Sequence, residues 1–251
     1  LLLLQLAAPA RQKQLPAQEQ LMAVYRYFDA EAVHLHLRIE QQANVWLTDT
    51  VPPDDMEIFF KDNEGLLRLP GNEQWMNDSM VVQVFHAARR IEYRRVPGMQ
   101  KEMKGLIQDL WREMQERVAD YEAVQQPGVL LLRNRKSLTG TVLSRDEITL
   151  EYDPADNRPV RVTTLRRTLV SVADDEEYAY WQQQAGDTLQ WITGAENRRF
   201  FVREHKSIAS YLLIRKGDAV QLPLTFASLL KMEDGKYLPA EGMEEYTVVE
   251  W

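Results

Sequence analysis

The sequence predicts an α+β protein built on a large curved antiparallel β-sheet, an incomplete barrel, with helices covering its concave face. Three observations predict it. Short strand-like segments recur at about ten-residue intervals, parted by turns such as Asp62-Asn63, Pro70-Gly71-Asn72 and Asn77-Asp78. Two other segments carry apolar residues at helical spacing. The strand–helix–strand alternation of a parallel sheet is absent.

Residues 17–30 read as a helix, because Leu21, Val24, Tyr25 and Phe28 fall on one stripe. Residues 32–41 give the clearest strand. Val33, Leu35, Leu37 and Ile39 are expected on a buried face, and His34, His36, Arg38 and Glu40 toward solvent. Strands follow over 56–61, 65–69, 80–86 and 90–96. Pro97-Gly98 then opens a segment expected to be helical up to Pro127-Gly128. Met99, Met103, Leu106, Ile107, Leu110, Trp111, Met114, Val118 and Tyr121 form its apolar stripe.

The strand rhythm resumes over 129–133, 139–144, 147–152, 158–163 and 168–173. Asp153-Pro154-Ala155-Asp156-Asn157 supplies one of the turns. The acidic run Asp174-Asp175-Glu176-Glu177 reads as a solvated turn. Further strands are expected near 188–192, 199–205, 207–215 and 246–249, with a short helix or irregular piece over 225–232.

The chain has 251 residues, with 30 Lys and Arg against 38 Asp and Glu, for a net charge of −8. That balance argues against a general nucleic-acid binder, which displaces counterions with cationic side chains. Cysteine is absent, so disulfides, thiolate metal sites, cysteine nucleophiles and a lipidated cysteine are excluded. Beyond residue 6 no long apolar run occurs, and no membrane span is expected in the mature chain. Leu1-Leu2-Leu3-Leu4-Gln5-Leu6 followed by Ala8-Pro9-Ala10 has the pattern of an apolar core and a small-residue cleavage site. Residues 1–10 are accordingly read as a signal-peptide remnant cleaved near Ala10. Residues 11–251 are read as one domain, with 174–251 extending the same sheet.

The element order resembles the outer-membrane lipoprotein carrier and receptor proteins, the LolA/LolB-like superfamily. The resemblance runs through Glu57-Ile58-Phe59-Phe60-Lys61-Asp62-Asn63, Leu67-Arg68-Leu69, Glu73-Gln74-Trp75 and Met80-Val81-Val82-Gln83-Val84-Phe85. It continues in Ile148-Thr149-Leu150-Glu151-Tyr152-Asp153 and Arg158-Pro159-Val160-Arg161-Val162. Asn77-Asp78 stands where an Asp-Gly turn is usual in that family, and the last 60 or so residues have no counterpart in it. The resemblance implies a half-open barrel with an apolar cavity for acyl chains, lined by Leu35, Leu37, Phe59, Trp75, Val82, Val84, Met103 and Leu110. It also implies a periplasmic, non-enzymatic carrier of lipid or acylated protein.

Other chemistry finds little support. His34 and His36 point the same way on one strand, but no spacing supplies a third metal ligand. His86 and His205 are isolated, the acidic pairs lack calcium-loop spacing, and no serine has a nucleophile-elbow setting. No catalytic residue, metal or cofactor is expected. Arg89-Arg90 and Arg94-Arg95 around Tyr93 fit solvated strand positions, or contact with a lipid head group or an acidic partner. Two rivals to the carrier remain: an envelope interaction scaffold with a packed barrel and no ligand, and a hydrolase with dispersed carboxylates.

Overall fold

The computed structural model describes residues 16–28, 30–45, 54–96, 120–140 and 143–251. Helix α1 (Ala17–Tyr25) buries Leu21 and Val24 from its apolar stripe and runs into a 3-10 turn at Arg26–Phe28. Strand β1 (Ala32–Ala43) begins a series continued by β2 (Asp54–Lys61), β3 (Glu64–Leu69), β4 (Asn72–Met76), β5 (Met80–Phe85) and β6 (Arg90–Arg95). The turns carry the chemistry that reverses a chain. Asp62 and Gly71 adopt φ of 54° and 78°, and the Asn77 side chain accepts hydrogen bonds from the backbone N–H groups of Ser79 and Met80 at 3.0 Å.

After residue 119 come β7 (Tyr121–Gln126), β8 (Val129–Asn134), β9 (Asp146–Tyr152) and the long β10 (Pro159–Val172). Helix α2 (Asp175–Ala185), β11 (Gln190–Thr193) and the 18-residue β12 (Arg199–Lys216) follow. A C-terminal segment holds the short α3 (Phe226–Leu229), the hairpin β13 (Leu230–Glu233) and β14 (Lys236–Pro239), and finally β15 (Thr247–Glu250).

Thirteen strands form one sheet in the order β15-β6-β5-β4-β3-β2-β1-β12-β10-β9-β8-β7, with β11 beside β12. The pairs are antiparallel except β15, which lies parallel to β6. The sheet is not closed into a barrel. Residues from 174–251 supply β11, the central β12 and the edge strand β15 of this same sheet.

Directly opposed residues share a face, so the register assigns every side chain to one of two sides. On the helix face, α1 packs Leu21 and Val24 against Leu130, Leu132, Leu150 and Tyr152. On the same face α2 packs Tyr178 and Trp181 over Val172 and Phe201. Gln20, itself buried, donates from Nε2 to Asn157 Oδ1 at 2.7 Å and so ties α1 to the turn between β9 and β10. The opposite face, here the tail face, is covered at its β2–β6 end by the C-terminal segment.

Several expectations are corrected. Residues 121–126 form β7, not the end of a helix. A Pro127-Gly128 turn, with Gly128 at φ 76°, pairs them with β8, and pairing overrides the good helix propensity of Glu, Ala and Gln. The rest of the expected helix, residues 97–119, lies outside the described residues. No strand forms over 139–144 among the described residues; a single Ser137–Ser144 bridge stands there instead. The acidic run 174–177 is a helix start. Asp174 accepts the Glu177 N–H at 2.8 Å, and Asp175, Glu176 and Glu177 suit the positive end of the α2 dipole. The separate strands expected over 158–173 merge into β10, and those over 199–215 into β12. Both have partners along nearly their whole length, so interior charged residues do not end them. His34, expected in solvent, is buried.

Candidate functional site

The register does not gather the eight predicted cavity residues. One lateral row reads His34–Phe59–Leu66–Trp75–Val82–Tyr93 and lies on the tail face. Phe59, Trp75, Val82 and Val84 are brought together there. They form a core with Leu66, Met80, Ile91, Tyr93, Leu229 and Leu230, and Leu222, Leu224, Phe226 and Tyr237 pack around it. Trp75 is wholly buried and tilts against Phe226 at 5.4 Å between ring centroids. The chain's own C-terminal segment thus occupies the space over these four residues.

Leu35 and Leu37 lie on the other side of the sheet. Their row is Ile214–Leu35–Ile58–Leu67–Gln74–Gln83–Glu92–Val249, on the helix face. Leu37 is buried and Leu35 half-buried. Met103 and Leu110 lie outside the described residues. Leu35 and Phe59 were both expected in one cavity lining. Yet β1 and β2 pair His34 with Phe59, and the two rings stack at 3.9 Å.

The helix face around β1–β5 is apolar over a wide stretch. Val33, Leu35, Leu37 and Ile39 continue into Met56, Ile58 and Phe60, then Leu67 and Leu69, Val81 and Phe85, by the same registers. Most of these are half-buried, not sealed. A groove of about 190 Å³ opens at β3–β5, lined by Leu67, Leu69, Asn72, Glu73, Gln74, Gln83, Val84 and Phe85. Gln83 donates from Nε2 to Gln74 Oε1 at 3.2 Å across it. Arg90 stands over the Phe85 ring at 5.3 Å and pairs with Glu92 at 2.8 Å. The groove therefore combines the apolar Leu67, Leu69, Val84 and Phe85 with the amides of Asn72, Gln74 and Gln83 and the carboxylate of Glu73.

A second feature escaped the sequence. On the tail face a chain of charged and hydrogen-bonding groups runs over the upper edge of the core. Glu57 meets His34 Nε2 at 3.2 Å and accepts from Arg68 Nη1 at 3.0 Å. Arg68 Nε donates to Glu73 at 2.7 Å. Glu73 lies 3.4 Å from His86 Nε2, and His86 Nδ1 lies 2.8 Å from the Tyr246 hydroxyl. Burial pushes the Glu57 carboxyl up, but its bonds to Arg68 and His34 outweigh that and hold it below the usual carboxylate range. Nearby, Asp55 is held low by its hydrogen bond from Arg38. These residues join β1, β2, β3 and β4 to the C-terminal segment. Among the described residues no group of His, Asp and Glu is arranged to hold a metal ion. No helix among them is long and apolar enough to cross a membrane. The only sequence signal for this chain of groups was charge at alternate strand positions, which ordinary solvated faces share.

No protein-family model matches the chain, nor does any curated sequence. Among solved structures, an uncharacterized conserved protein from Thermus thermophilus is 12% identical. It aligns over 94% of this chain and 99% of its own, at a TM-score of 0.37. A LolA superfamily protein from Nitrosomonas europaea is 11% identical over 82% of this chain and 95% of that one, at 0.29. A DUF1329 family protein from Desulfovibrio piger is 10% identical over 82% and 93%, also at 0.29.

Proposed function

We propose that the protein is a non-enzymatic, exported binding protein of carrier type, which takes lipid or an acylated protein on the helix face of its open sheet. The observation that supports this reading is the half-covered apolar field from Leu35 and Ile58 to Leu67, Leu69 and Phe85, with its groove at β3–β5. The groove is smaller than the roughly 300–1,000 Å³ of sites for drug-sized ligands. It suits a short stretch of acyl chain, each shielded methylene contributing ~0.8 kcal/mol. The signal-like pattern of residues 1–10 supports placement in the periplasm. The site is moved from the one the sequence suggested, because Phe59, Trp75, Val82 and Val84 are packed by this chain's own residues.

Native mass spectrometry of the purified chain, with displacement of a fluorescent fatty acid, tests the proposal. Bound lipid, and at least tenfold weaker binding in a folded Leu67→Asp variant, is the expected result. No binding by the parent protein, or unchanged binding in the variant, would overturn it. A second reading, the envelope scaffold with no ligand, draws support from the packed tail-face core. Recovery of a single stoichiometric protein partner without lipid would favour it.

A further inference from the structure

We propose that β7 is a self-association edge: it pairs antiparallel with β7 of a second copy of this chain, joining two sheets into one. The sheet has two end strands. At one end the four-residue β15 lies parallel to β6 and is outermost. At the other end β7 is outermost, and no strand among the described residues lies beyond it.

Which groups β7 offers follows from the ladder. The Asp120 carbonyl accepts from the Arg135 N–H at 2.9 Å, so Asp120 faces β8. In an antiparallel ladder inward and outward residues alternate. Glu122, Val124 and Gln126 therefore bond to β8, and Ala123 and Gln125 turn their N–H and C=O groups outward. The pairing with β8 is regular, with no bulge to twist the edge away. The strand Tyr-Glu-Ala-Val-Gln-Gln contains no Lys, Arg or Pro. Those are the usual devices that stop edges from pairing.

Charge and symmetry select the partner and the register. A two-fold axis perpendicular to the sheet, passing through Val124, sets Val124 opposite its copy and Ala123 opposite Gln125. It sets Glu122, the strand's one charged residue, opposite a neutral Gln126. A parallel in-register pairing would instead oppose Glu122 to Glu122. Val124 is 40% exposed, and the pairing covers it. A contact of one short strand is at the small end of interfaces, so the dimer is expected to be transient.

Sedimentation velocity of the full chain from about 1 µM to 0.5 mM covers the relevant affinities. A monomer–dimer equilibrium is expected. Ala123→Pro removes an outward N–H without touching the bonds to β8, and Val124→Lys puts a cation at the two-fold. Each should weaken dimerisation at least tenfold while leaving the far-UV circular dichroism unchanged. Amide exchange at Ala123 and Gln125 should slow with concentration. A monomer at every concentration overturns the proposal, as does a dimer that persists in a folded variant of either kind. If Ala123→Pro does not fold, Val124→Lys alone decides.

Discussion

Two substitutions at Trp75 separate a core from a vacant binding site. Trp75 has no exposed surface, and its indole N–H has no hydrogen-bond partner among the described residues. Leaving such a group buried and unpaired costs about 1–3 kcal/mol. Trp75→Phe removes that cost. It also leaves a void of about 40 Å³, which at ~24 cal/mol per Å³ costs about 1 kcal/mol, with a transfer loss of similar size. The opposing effects nearly cancel, so Trp75→Phe should change the unfolding free energy by less than about 1 kcal/mol. Trp75→Ala keeps the relief but loses the whole ring contact with Phe226 and its neighbours, for a net cost of about 3 kcal/mol. Urea denaturation followed by far-UV circular dichroism measures both, since the tryptophan signal itself is altered. The slope of free energy against urea should stay constant. A loss above about 2 kcal/mol for Trp75→Phe would show that the indole N–H is bonded and contributes. A loss below about 1 kcal/mol for Trp75→Ala would show that the tail-face interior is room for a guest and not a packed core.

Arg68→Met removes the guanidinium that holds Glu57 below its ordinary pKa of 4.5. A depressed carboxylate stabilises the fold above that value and loses its effect as pH falls through the folded pKa. The variant should therefore be about 1 kcal/mol less stable near neutral pH, a figure kept small by the partial exposure of the pair, and the deficit should vanish in acid. A deficit that persists unchanged in acid denaturation curves counts against the electrostatic account. Asp174→Ala deletes the cap of α2 and should cost about 0.5–2 kcal/mol in chemical denaturation, with Asp174→Asn recovering most of it. Gly128→Ala forces a Cβ into positive φ, 3.1 Å from the Tyr152 carbonyl oxygen. It should cost roughly 1–2 kcal/mol and lower the melting temperature by about 2–8 °C; an unchanged melting temperature would refute the assigned turn.

Much of the candidate site was hidden in the sequence for a physical reason. Leu67 and Leu69 read as one strand among many, and nothing local says that they line a groove. His34, Glu57, Arg68, Glu73 and His86 come from four strands and a turn. They meet only because the register sets Glu57 across from Arg68 and Arg68 across from Glu73. The alternation in β1 was visible, but its reading as one buried and one solvated side failed. Val33 and His34 are both buried because both faces are covered there.

What the sequence alone determined is local. Period-two patterns marked β1 and β9, turn residues at about ten-residue spacing marked β2, β3, β5 and β6, and the apolar stripe marked α1. These depend on contacts between residues close in the chain. Tertiary structure decided which strands merged into β10 and β12, that 121–126 paired as β7, and that the C-terminal segment filled the tail face. A strand's length, its register and the side that gets covered depend on partners distant in the chain. A one-residue slip would exchange the two faces, so the same alternation is compatible with either side until the neighbours are in place.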